Sequence, residues 1–110
     1  YGLTYTAKED EYIATLPIGY ADGLIRKNQG RKVYINGKYY EIVGRVCMDQ
    51  MMVRVDKNVK IGDQVEIFGE HISLESMAKD LDTISYEVLC LISKRVPRVY
   101  VQNGQVKELL

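Results

Sequence analysis

The sequence predicts a small, mainly β, barrel-like domain with two short helices in its C-terminal third. Three observations carry this. Short runs rich in β-branched and aromatic residues recur at about 8–12-residue spacing. Two Asn-Gly pairs sit between such runs, and only two windows show helical spacing. In chain order, Glu11 to Ile18 reads as a strand that ends near Pro17. Gly19-Tyr20-Ala21-Asp22-Gly23 then forms a loop suited to a tight, special backbone path. Lys32 to Ile35 and Lys38 to Val46 flank Asn36-Gly37, the signature of a type I′ hairpin. Gln50 to Val55 is another strand. Gln64 to Phe68 alternates between Gly62-Asp63 and Gly69 and reads as one more. Ser73 caps a helix whose Leu74, Met77, Ala78 and Leu81 share one face. Ser85 caps a second, with Val88, Leu89, Leu91 and Ile92 apolar, and Pro97 stops helical structure. Asn103-Gly104 joins Val99–Val101 to Val106–Leu109, for six to eight strands in all.

The chain has 110 residues, 46% of them apolar, which is enough for one domain with its own core. Fifteen Lys and Arg balance fifteen Asp and Glu. Zero net charge argues against electrostatically driven binding to nucleic acid or an anionic membrane. No apolar run is long enough for a membrane helix. Cys47 and Cys90 form no metal motif and suit a reducing, cytoplasmic compartment. The sequence starts at Tyr1 inside an apparent strand, as a piece of a longer protein would.

Chemistry has few places to sit. Cys47-Met48-Asp49 lies between two strands; by spacing alone it is a turn with a buried cysteine. His71, the one histidine, falls in a surface loop with no partner in sequence. No nucleophile triad, phosphate loop or metal cluster can be built. Tyrosine stands out: nine against one Phe and no Trp. Tyr34, Tyr39 and Tyr40 belong to the hairpin, whereas Tyr1, Tyr20 and Tyr86 fall in loops or at a helix start. Residues on scaffold-held loops carry function more often than those on the scaffold. These features leave open a non-catalytic interaction module or part of an enzyme.

Five blocks narrow the choice: Tyr1 to Tyr5, Leu16 to Gly23, Val43 to Gln50, Thr83 to Glu87 and Ser93 to Arg98. In that order and spacing, from Tyr1 to about Tyr100, they resemble the C-terminal domain of bacterial alanine racemase. The resemblance implies that 1–110 is one domain of a cytoplasmic pyridoxal-phosphate isomerase. That enzyme interconverts L- and D-alanine for peptidoglycan synthesis. Serine racemases of antibiotic-resistance systems share the fold and are the alternative substrate class. The cofactor would be held as a Schiff base on a lysine of an N-terminal barrel, which this chain lacks, so the chain alone would be inactive. The family works as a head-to-tail homodimer, each site combining one subunit's barrel with the other's β domain.

The resemblance also implies residue roles. Tyr1 is one of two bases and acts in the partner subunit's site; the barrel lysine is the other. A free tyrosine has a pKa near 10, so this role needs positive charge or donors nearby. Met48 meets the substrate carboxylate through its backbone N–H, because a thioether has no reason to bind a carboxylate. Asp49 is a supporting neighbour and Cys47 flanks it. Tyr86 donates to the cofactor phosphate. Tyr20, Ile84, Arg26 and Arg45 line the substrate entryway, and Arg98 supports them.

Overall fold

Two antiparallel sheets and two helices make up the computed structural model, which describes residues 11–102 and 105–109. The larger sheet contains β1 (Tyr12–Leu16), β2 (Lys32–Ile35), β3 (Lys38–Val43) and β4 (Met51–Val55), in the order β1-β4-β3-β2. β5 (Val99–Gln102) and β6 (Gln105–Leu109) form a separate pair, with a register shift between Tyr100 and Val101. The mainly β expectation holds. The four strands of the larger sheet form an open sheet, so "barrel-like" describes it only loosely.

Alternation sets the sheet's faces. Val33, Ile35, Ile42, Met51 and Val53 are buried on one side, with Ala14 and Ile42 both opposite Val53. Asn36 and Gly37 take positive φ values of 49° and 86°, as the type I′ turn requires. The β3 run was expected to reach Val46 but stops at Val43, because Gly44 turns left-handed at φ 72°. The expected strand over Gln64 to Phe68 shrinks to one bridge. Tyr34 and Glu66 exchange two backbone hydrogen bonds of 3.0 and 2.9 Å. The chain then leaves the sheet edge, because the Glu66 carboxylate accepts the backbone amides of His71 and Ile72, each at 2.7 Å.

The helices are α1 (Leu74–Asp80) and α2 (Ser85–Leu91). Ser73 caps α1 as expected, its hydroxyl accepting from Ser76 N at 3.0 Å. The end of α1 is a Schellman turn. Thr83 N donates to Ala78 O, Asp82 N donates to Lys79 O, and Asp82 takes φ 58° where glycine is usual. The expected cap at Ser85 is corrected: Ile84 holds the N-cap position without a side-chain bond. Thr83, one residue earlier, bonds the Glu87 carboxylate across the first turn instead. Met77, Ala78, Leu81 and Val88 close the core over the sheet with Leu24 and Val46.

Candidate functional site

Two loops lock together at one end of the sheet. Tyr20–Asp22 forms a single 3-10 turn whose inner amides point at the turn between β3 and β4. Tyr20 N donates to Cys47 O and Ala21 N to Met48 O, both at 2.9 Å. A Cβ on Gly19 would stand 2.1 Å from Cys47 O, so only glycine permits this approach. At the other end of the loop, Gly23 takes φ 111°, and a Cβ there would stand 2.3 Å from Leu91 O. One short loop therefore spans the Cys47–Asp49 turn and the last turn of α2.

This docking orients Met48. Among the described residues there are no cis peptide bonds. In a trans peptide the C=O and the following N–H point in opposite directions. Cys47 O is held toward Tyr20, so Met48 N–H faces the other way. It has no hydrogen-bond partner among the described residues. Met48 is 54% exposed and Tyr20 is 43% exposed. Cys47 is buried, its Sγ 3.7 Å from Arg45 O, so it is packing rather than a reactive thiol. Asp49 is exposed beside it.

The remaining sequence candidates divide into two groups. Arg98 fastens the segment after α2, donating to Ser93 O, Val96 O and Ile92 O at 2.9, 2.7 and 3.1 Å. That segment is tied to the Gly19 loop through Ser93 N to Asp22 O at 3.1 Å. Arg26, Arg45, Ile84 and Tyr86 make no side-chain hydrogen bond to the loop pair among the described residues. Arg26 sits exposed in a second 3-10 turn and Arg45 is half-buried. Tyr86, 78% exposed in the first turn of α2, has a hydroxyl with no partner among the described residues. Tyr1 lies outside the described residues.

Sequence reasoning passed over Asp22, a buried carboxylate. Its Oδ2 accepts Gly19 N–H at 2.9 Å and its Oδ1 lies 3.5 Å from Arg95 Nε. An Asp three residues after a loop glycine was the available signal, since such a side chain reaches back to cap the amide. His71 was expected in a surface loop with no partner in sequence; it is exposed in a loop, but its ring does find partners. Its ring stacks on Tyr34 at 3.8 Å and 8°, and its Nδ1 lies 3.0 Å from Glu66 Oε1. Burial pushes the Glu66 carboxyl up, but the His71 ring and the amides of His71 and Ile72 outweigh it and hold the pKa below the usual carboxylate value. This cluster pins the 64–72 segment to β2. A hollow of about 790 Å³ opens between Lys27–Lys32, Tyr39 and the start of α1. Its one buried charge, Arg31, is already held by Asp80 and Asn28. Among the described residues no cluster of three metal-ligating side chains exists, and no helix is long and apolar enough to cross a membrane.

The fold is a small, mainly β domain whose two loops lock together at one end of an open sheet. The alanine racemase C-terminal domain family matches residues 1–100, and the chain belongs to that family. It is 53% identical over 104 residues to the alanine racemase of Ligilactobacillus salivarius, covering 91% of this chain and 28% of that protein. Against alanine racemase 1 of Bacillus subtilis it is 46% identical over 113 residues, covering 99% of this chain and 29% of that protein. The crystal structure of the Bacillus anthracis alanine racemase with bound L-Ala-P superposes with a TM-score of 0.95 at 46% identity, over 100% of this chain and 30% of that one. The Bartonella henselae alanine racemase with covalently bound pyridoxal phosphate gives 0.77 at 40% identity, over 83% and 28%. The chain thus spans less than a third of the length of these relatives.

Proposed function

We propose that residues 1–110 form the C-terminal domain of a cytoplasmic, homodimeric alanine racemase that supplies D-alanine for peptidoglycan. In this reading the cofactor-binding barrel lies outside the chain. The observation that carries it is the Met48 N–H, unpaired among the described residues and fixed in direction by the Gly19 loop that holds Cys47 O. A rigid, unpaired amide is a ready donor for a carboxylate oxygen. Alanine offers such a carboxylate and little else to grip.

Pyridoxal phosphate, when bound, would supply the electron sink that makes the Cα proton removable. The residues of this chain would do the rest. Met48 N–H holds a carboxylate oxygen, and Asp49 steadies the turn. The Tyr1 phenolic oxygen takes or returns the proton on one face of Cα, in the partner subunit's site. Tyr86 O–H donates to a phosphate oxygen in its own subunit's site. Service of two different sites explains why Tyr86 makes no bond to the Tyr20–Met48 pair. Tyr20 and Ile84 narrow the approach, and Arg26 and Arg45 attract a carboxylate. Arg98 holds the α2 end in place, and Cys47 packs beneath.

Cofactor titration of the full-length racemase tests this assignment. Tyr86→Phe removes only the hydroxyl from an exposed ring. A hydrogen bond to a charged group is worth roughly 1.5–3 kcal/mol, so cofactor affinity is expected to fall by about tenfold or more. Turnover at saturating cofactor is expected to fall less. Unchanged affinity with collapsed turnover would give Tyr86 a different task.

A further inference from the structure

The geometry points to Asp22 as the positioning residue for Tyr20 and Met48, an inference that rests on the racemase reading above. Nothing in that reading uses Asp22. Its carboxylate is buried, with the residue only 8% exposed, and a buried charge persists only where partners compensate it. Two do. Oδ2 accepts Gly19 N–H at 2.9 Å, and Oδ1 faces Arg95 Nε at 3.5 Å.

The first contact closes a ring. Asp22 N donates to Gly19 O at 3.0 Å while Gly19 N donates back to the Asp22 carboxylate. Both ends of the Gly19–Asp22 turn are thereby fixed. The two amides between them, Tyr20 N and Ala21 N, are the ones that grip Cys47 O and Met48 O. Met48 N–H shares a rigid plane with Cys47 O. Any tilt of the Tyr20 amide therefore swings the Met48 donor away from a bound carboxylate. The second contact, with the bond from Ser93 N to Asp22 O, ties this same residue to the segment after α2. Asp22 touches no substrate in this scheme; it acts through Met48 and Tyr20.

Such a role has its own kinetic signature. A carboxylate donor grips alanine in the ground state and the transition state alike. Its misplacement raises KM and leaves kcat nearly intact. A residue that merely holds the fold together lowers the folded fraction, so kcat falls at constant KM.

The test is steady-state racemisation by the full-length enzyme, with thermal melting in parallel. Asp22→Ala is expected to raise KM for alanine by about tenfold, with kcat changing less than about threefold. Asp22→Asn keeps an oxygen for Gly19 N–H but loses the charge facing Arg95, so its KM is expected to lie between wild type and alanine. Arg95→Ala, at an exposed side chain that threatens folding little, is expected to raise KM by a smaller factor. If Asp22→Ala does not fold, the other two variants decide. Unchanged KM in folded Asp22→Asn and Arg95→Ala overturns the inference while the racemase reading stands. A wild-type enzyme that does not racemise alanine overturns both.

Discussion

Replacing Tyr1 with alanine in the full-length racemase is expected to abolish racemisation while cofactor binding survives. Inverting Cα requires a proton to leave one face and arrive on the other, which takes two groups on opposite sides. In the proposed scheme Tyr1 is one of them, and a lysine outside this chain is the other. Alanine at position 1 leaves nothing to take or return a proton on that face. The cofactor is held elsewhere, so its retention is unaffected. In deuterated water the variant should label one enantiomer slowly at Cα and barely label the other, because the lysine still serves its own face. Equal labelling of both enantiomers would mean that one base serves both faces. Retained racemisation would remove Tyr1 from the chemistry altogether.

The second large effect is expected at Gly19. In Gly19→Ala the new Cβ would fall 2.1 Å from Cys47 O, a backbone atom that cannot rotate aside. The loops must separate, and the bonds from Tyr20 N and Ala21 N go with them. At 0.5–1.5 kcal/mol each, roughly 1–3 kcal/mol of stability is lost before any strain is counted. The Met48 amide loses its fixed direction as well, so KM for alanine should rise about tenfold or more. Gly37→Ala is the control. Unlike Gly19, which is extended at φ −153°, it takes a positive φ of 86°, but a Cβ there meets nothing within 4 Å. It should lower stability by about 1–2 kcal/mol and leave the kinetics unchanged. Equal kinetic damage at both positions would show that loop docking does not set the site. Denaturant unfolding and steady-state rates on the same samples check both halves.

The parts of the fold that were legible in the sequence are those in which one residue type has one local solution. Asn36-Gly37 specifies its turn, Ser73 its cap, and the Leu74–Leu81 pattern its buried face. The misread parts depend on which of several competing partners a residue takes in the fold. Gln64 to Phe68 alternates like a strand, but only Glu66 finds a sheet edge before its carboxylate captures the next turn. Ser85 looks like a cap, yet Thr83 and Glu87 close that turn one residue earlier. His71 has no partner within its own loop because its partners are Tyr34 on β2 and Glu66. The site followed the same rule. Exposed Tyr20, Met48 and Tyr86 were visible as ordered motif blocks. The hidden brace was not, because Asp22 and Arg95 are far apart in sequence and meet only when the end of α2 packs on Gly23.

In the proposed scheme this domain completes a site on the other subunit, and mixed dimers test that most directly. One full-length variant would carry Tyr1→Ala, and the other would lack the cofactor-holding lysine outside this chain. Each homodimer is expected to be inactive. In a mixed dimer of a head-to-tail pair, one site receives both lesions and the other receives neither. Random mixing makes about half the dimers mixed, each with one intact site, so about a quarter of wild-type activity should return. No recovery from two folded, exchanging variants would place Tyr1 and the lysine in the same subunit's site and contradict the account.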